Sequence, residues 1–316
     1  MKIRLFFASD VHGSEICFRK FVNAGKFYKA DVAVLGGDLT GKMIVPIVEQ
    51  SDGTYKANYM GADHVMKNLE EVERMEETIR LSGFYPYRTS LEEFEELSAQ
   101  PARLGDLFTH LMVDTVERWV RIAEENLKHT DIKCFIMPGN DDQFEIDSVI
   151  NESDYVVNPE GKAVSLGGPY EMISTGYVNV TPWNAPRDIS EEELAKKIEK
   201  MVSQVRDMGK CIFNFHCPPY DSEIDVAPKL DETLRPVLRG LEMVMVPAGS
   251  RAVRSSIERY QPLLGLHGHI HESKGAIKIG RTLCLNPGSE YTEGVLRGAI
   301  INLDEKGMKS YLFVTG

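Results

Sequence analysis

The sequence predicts an α/β fold, and three observations carry the prediction. Short, nearly continuous apolar runs recur along the chain. Helix-period segments lie between several of them. The polar residues that carry chemistry collect just past the carboxyl ends of those runs. Runs without apolar–polar alternation are those of strands covered on both faces.

The first run is Ile3 to Ala8, followed by a helical pattern from Ser14 to Lys29. Val32 to Leu35 reads as the second strand. The segment from Gly41 to about Arg103 stands apart. It opens with a predicted hairpin, Met43–Glu49 and Tyr55–Met60, around Ser51-Asp52-Gly53. A charged helix is expected near Asp63 to Leu81, then the stretch GFYPYRTS and a short acidic helix. These features read residues 41–103 as an insertion, a cap or oligomer contact on a single domain spanning 1–316. A long amphipathic helix, Leu104 to His129, leads to the strand Ile132 to Met137.

Ser190 and Glu193 have capping-box spacing at the start of a further helix. Cys211–Phe215 and Leu263–Leu266 are the next apolar runs. The last third changes character, with short strands at Ile277–Ile279, Thr282–Leu285, Gly298–Leu303 and Ser310–Val314 joined by turns. An α/β start and a more antiparallel end are therefore expected.

Composition narrows the function. The chain has 316 residues, 42% hydrophobic and 27% charged, the balance of a globular protein. No apolar run approaches the roughly 20 residues of a membrane-spanning helix. The five cysteines are odd in number and form no C-x-x-C pair, which points to a reducing, cytoplasmic setting. A formal net charge of -12 disfavours long nucleic acid as a partner. Bound cations would still let an acidic protein attract an anion.

Asp10 and His12 follow the first strand, and Asp38 the second. Asn140 follows the third, His216 the fourth, and His267, His269 and His271 the fifth. Ligands of open α/β sheets bind beyond the carboxyl ends of strands, so neighbouring strands would make these side chains converge. Carboxylate, imidazole and amide together suit manganese, iron, zinc or nickel, and the sequence does not choose among them.

In order, DVH, GGD, GN, a later His and GHIH resemble the motifs of the calcineurin-like metallophosphoesterases, across Asp10 to His271. The resemblance implies a four-layer α/β/β/α sandwich, two mixed sheets flanked by helices, with a two-metal centre. Asp10, His12, Asp38 and His271 would hold one ion. Asp38, Asn140, His216 and His269 would hold the other, with Asp38 bridging. It implies hydrolysis of a small phosphoester by metal-activated hydroxide. A metal-binding scaffold with lost catalysis and a nuclease of the same family are the other readings.

One position departs. Where many members have Gly-Asn-His and an acid, this chain has Gly139-Asn140-Asp141-Asp142. That histidine contacts the substrate phosphate and helps the leaving group depart, so Asp141 takes the catalytic position. Beside bound cations its carboxyl is expected to stay ionised. Such a group donates no proton and repels a monoester dianion more than a diester monoanion, which favours a phosphodiester. His267 reads as a core strand residue, or as a substitute if His267–His271 is extended with all three imidazoles on one side. Ser250 with Arg251 and Arg254 offers a helix N-terminus for phosphate, or an ordinary cap. Gly13 and Gly268 read as tight turns that let the backbone crowd the ions.

Overall fold

The computed structural model describes residues 2–316. In chain order the strands of its three larger sheets are β1 (Ile3–Ala8), β2 (Val32–Gly36), β3 (Ile44–Glu49), β4 (Tyr55–Tyr59), β5 (Ala62–Met66), β6 (Tyr85–Ser90), β7 (Lys133–Met137), β8 (Ala163–Gly167), β9 (Tyr170–Thr175), β10 (Cys211–Phe215), β11 (Leu264–Leu266), β12 (Gly275–Ile279), β13 (Thr282–Asn286), β14 (Arg297–Asp304) and β15 (Gly307–Thr315). The α-helices are α1 (Glu15–Phe27), α2 (Leu69–Leu81), α3 (Leu91–Ala99), α4 (Pro101–Leu127), α5 (Ile146–Asn151), α6 (Glu191–Val202) and α7 (Arg251–Tyr260).

Two mixed sheets form the body. One runs β15-β14-β1-β2-β7, with β1, β2 and β7 parallel and β14 antiparallel to β1. The other runs β12-β13-β11-β10-β9-β8, with β9, β10, β11 and β13 parallel. The side chains of β1 show how the layers arise. Leu5 and Phe7 join Met172, Ile212 and Leu266 of the second sheet in one buried cluster. Phe6 and Ala8 point the other way, toward Phe18 and Phe21 of α1 and Trp119 of α4. Period-two alternation therefore feeds two cores at once, which is why β1 reads as a continuous apolar run. Beyond the second sheet, Phe213 and Phe215 pack with Leu194 and Ile198 of α6 and Val253 and Ile257 of α7. The order helix, sheet, sheet, helix agrees with the expected sandwich.

The inserted segment differs from its expectation. It is a four-stranded sheet, β5-β4-β3-β6, with its own apolar cluster including Ile47, Val72 and Ile79. Residues from Asp63 were expected to be helical, but Ala62–Met66 is a strand paired antiparallel to β4. Met60 and Gly61, with φ of 52° and 75°, make the tight turn between them. The helix starts only at Leu69, where the Asn68 side chain accepts from the Glu71 N–H. GFYPYRTS contributes β6, parallel to β3.

β8 and β9 carried no expectation. The run of β9 is interrupted by Glu171, which sits buried because Arg206 Nε donates to it at 2.7 Å. The capping box at Ser190 and Glu193 is present. The N-terminus of α7 is taken: the Glu191 carboxylate accepts from the backbone N–H of Arg251 and Ala252 at 2.8 Å each. That overturns the phosphate alternative there, because a carboxylate already fills the positive end of the helix.

Candidate metal centre

The loops after β1 and β2 are zipped together past the ends of their strands. Asp10 N–H donates to the Gly37 carbonyl at 3.0 Å and His12 N–H to the Asp38 carbonyl at 3.0 Å. From the other sheet, Gly268 N–H donates to the His216 carbonyl at 2.9 Å, and His269 N–H reaches the Asp10 carboxylate at 2.9 Å. These bonds draw the strand ends of both sheets to one place.

Two groups of donor atoms result, each lying within 4.8 Å of one another: Asp10, His12, Asp38 and His271, and Asp38, His216 and His269. Asp38 belongs to both. Within the first, His12 Nε2 lies 3.0 Å from His271 Nε2 and 3.5 Å from Asp38 Oδ2, and His271 Nε2 lies 3.4 Å from Asp10 Oδ1. Within the second, His216 Nε2 lies 3.3 Å from Asp38 Oδ2. Ligands about 2.1 Å from one small cation stand roughly 3–3.4 Å apart, so these spacings are of the right size.

The backbone is strained to achieve this. Asp10, His12, Asp38 and His269 have φ of 58°, 38°, 51° and 65°, the left-handed region that non-glycine residues seldom occupy. Such strain gathers at functional sites. The kink at His269 also ends the extended geometry assumed for His267–His271. The His267 ring turns back: its Nδ1 lies 2.8 Å from the Phe215 carbonyl and 3.1 Å from that of Cys217. It is absent from both donor groups, so the substitute role fails on geometry.

Orphaned polar atoms mark where a cation fits. His216 Nε2 and Asn140 Oδ1 are buried without a partner. His216 Nδ1 lies 3.0 Å from the Gly36 carbonyl, which leaves Nε2 to face the centre. Asn140 Nδ2 donates to Asp188 Oδ1 at 3.3 Å, which orients Oδ1 as the free acceptor. The sequence reading missed Asp188. It lies in the turn-rich stretch PWNAPRDIS, and nothing local marks it.

Charge at the candidate centre follows the same geometry. Burial works against ionisation of Asp10, but a hydrogen bond from His271 and the nearby His216 hold it below the usual carboxylate range. Burial likewise opposes Asp38, and His216 outweighs it. Burial pushes His12 down to about 3 and His269 to about 4. His216 is opposed by burial yet raised by Asp38 to about 10. A ligating imidazole must be neutral, so metal binding there would compete with a proton.

Asp142 and Asp141 have separate tasks. Asp142 Oδ2 accepts from the N–H groups of Leu39 and Gly139 at 2.9 and 2.7 Å, and Oδ1 from Thr40 N–H at 2.8 Å and Thr40 Oγ1 at 2.6 Å. It is buried and staples the loop after β7 to the loop after β2. Asp141 faces outward, with Oδ2 4.0 Å from His12 Nδ1 and 2.5 Å from Lys42 Nζ. Burial and then Asp38 push its carboxyl up to about 6, against the pull of Lys42. The lowered value expected from the sequence rests on bound cations, whose charge would add to that of Lys42. Lys42 was missed because it opens the inserted segment as an ordinary loop lysine. Tyr291 was missed too, its ring centroid 4.7 Å from that of His12.

Gly268 has the role expected of it. A Cβ there would fall 2.3 Å from Asp10 Oδ2 and 2.2 Å from Ser9 Oγ. Gly13 does not crowd the imidazoles. Its φ is 76°, and a Cβ would fall 2.7 Å from the Gly83 carbonyl and 2.8 Å from Gly41 Cα, at the base of the insertion. In the turn after β13, Asn286 Nδ2 donates to the Ile270 carbonyl at 3.0 Å and Ser289 Oγ to the Asp10 carbonyl at 2.7 Å.

No family model matches the chain. The uncharacterized protein MJ1162 of Methanocaldococcus jannaschii is 25% identical over 202 residues, which cover 63% of this chain and 81% of that protein. One crystal structure superposes with a TM-score of 0.58 at 16% identity, covering 100% of this chain and 99% of the other. The crystal structure of TT1561 of Thermus thermophilus does so with a TM-score of 0.53 at 15% identity, again over 100% and 99%. Looser superpositions, at TM-scores of 0.34 and 0.30, reach a predicted phosphoesterase from Streptococcus pneumoniae and a phosphoesterase from E. coli, and similarity that loose carries no argument. At such identities the two tighter superpositions show that this chain shares their fold.

Proposed function

We propose that this protein hydrolyses a phosphoester, with phosphodiesters preferred, at a centre for two divalent metal ions. Asp10, His12, Asp38 and His271 would hold one ion, and Asp38, Asn140, His216 and His269 the other. The observation that carries the reading is the pair of donor groups sharing Asp38. Two such ions, when bound, polarise the phosphoryl oxygens and make a water nucleophilic near neutral pH.

The chain's own residues set the rest. Gly36 and Asp188 aim His216 and Asn140, and the Asp142 staple fixes the loop that carries Asn140. Two carboxylates against two divalent cations leave roughly two units of positive charge to attract an anionic ester. Asp141 would reduce that attraction, and Lys42 at 2.5 Å offsets it. In the reaction a bond forms between the water oxygen and phosphorus while the bond from phosphorus to the leaving oxygen breaks. The leaving oxygen carries off the electron pair and ends with a proton drawn from solvent, because Asp141 is engaged with Lys42. Diesters with stable leaving groups suit that chemistry.

A panel of phosphomonoesters, diesters and cyclic nucleotides across manganese, iron, zinc and nickel tests the reading, with Asp38→Asn as the control that abolishes turnover. Monoester turnover well above diester turnover would overturn the preference. A metal-replete protein inactive on the whole panel would favour a binding scaffold.

A further inference from the structure

The inserted segment builds a cleft of about 510 Å³ between its sheet, α3 and the first turns of α4. That is within the range of small-molecule sites. Ile44, Pro46, Phe94, Leu104 and Phe108 are among its walls. Phe94 and Leu104 are 37% and 41% exposed, apolar surface that the chain leaves uncovered.

The polar side chains in the wall are already engaged. The Tyr87 hydroxyl and Thr89 Oγ1 each donate to the Glu93 carboxylate at 2.9 Å, and Ser98 Oγ donates to the Phe94 carbonyl at 2.8 Å. Such a wall offers little to read a nucleobase or a sugar, and much to a hydrocarbon. One end differs. Lys42 lines the cleft, and its Nζ is 2.5 Å from Asp141 Oδ2 at the rim of the metal centre. The apolar trough thus ends at a lysine paired with Asp141, whose carboxylate lies 4.0 Å from His12 Nδ1.

We propose that this cleft binds the hydrocarbon part of the substrate: a phosphoester carrying an alkyl or acyl chain, with its anionic phosphate at the metal centre beside Lys42. This rests on the hydrolase reading above and names its substrate class. It also gives the insertion a task that its position alone leaves open, which is to select by chain length.

The test compares methyl, butyl and octyl p-nitrophenyl phosphate as substrates of the full-length, manganese-loaded protein. Methyl- and octylphosphonate binding by calorimetry runs alongside, on wild type and Leu104→Asp, with circular dichroism as the check on folding. KM is expected to fall by about 10-fold or more from methyl to octyl in the wild type. In Leu104→Asp, which puts a carboxylate in the cleft wall, that dependence flattens. Turnover with no dependence on chain length would overturn the proposal and leave the hydrolase reading standing. Tighter binding of octylphosphonate, lost in Leu104→Asp, without turnover of any ester would keep the cleft and remove the hydrolase. Neither turnover nor chain-dependent binding would remove both.

Discussion

Asp141 stands where the resemblance in the sequence implies a histidine, and its surroundings give that difference a physical form. A carboxylate at the rim would lower the attraction for an anionic ester, and the Lys42 ammonium at 2.5 Å opposes that effect. Asp141→His restores the imidazole that the resemblance implies. It is expected to raise the monoester-to-diester ratio of kcat/KM by about 10-fold or more, since a positioned acid helps a poor leaving group most. An unchanged ratio would show that the residue does not set ester preference. Asp188 acts one step further out, through Asn140. Asp188→Ala should weaken metal binding by about 10–100-fold, read by calorimetry with manganese. Affinity equal to wild type would mean that Asn140 needs no orienting partner.

At the scale of elements, strand ends and their loops matter more than the strands. The loop after β11 shows why: His269 at φ 65° swings its imidazole toward the centre while His267 stays against β10. Gly268 permits the close pass over Asp10. Gly268→Ala is expected to displace Asp10, cut metal content by half or more in elemental analysis, and leave the circular dichroism spectrum intact. Full metal occupancy would show that the loop yields instead. The core strands were legible because their two faces both pack, and β1 and β10 occur where their apolar runs lie. The strand β5 was not legible. ADHVM carries charge on a thin sheet that stands off the main body, so its pattern looks like the start of the helix that follows.

Over the whole molecule, three apolar clusters separate the four layers, and a fourth supports the inserted sheet. No helix among the described residues is long and apolar enough to cross a membrane. All five cysteines are buried and free. Burial pushes Cys134, Cys211 and Cys284 up to about 12. An exposed thiol reacts about 10-fold faster per pH unit below its ordinary pKa near 8.5, as thiolate accumulates. Here a raised pKa keeps the thiolate scarce. A disulfide reagent is therefore expected to modify the native protein slowly throughout pH 7 to 9, with a rate that still rises about 10-fold per pH unit, and all five thiols promptly in denaturant. A fast phase in the native state would contradict the burial. Metal bound to the native centre should also add stability by mass action. A chelator is expected to lower Tm and manganese to restore it; an unchanged Tm would mean that no metal is held.

What the sequence determined by itself was local: which runs are buried on both faces, which residues cap α6, and which carboxylates, amide and imidazoles follow the strand ends. Each of those is written in spacing and residue type within a few positions. The tertiary structure alone decided which of them meet. It turned His267 away, brought Lys42 and Asp188 in from segments with no signal of their own, and set an apolar cleft against Lys42. Those outcomes depend on contacts between residues tens to hundreds of positions apart, and local patterning carries no record of distance through space.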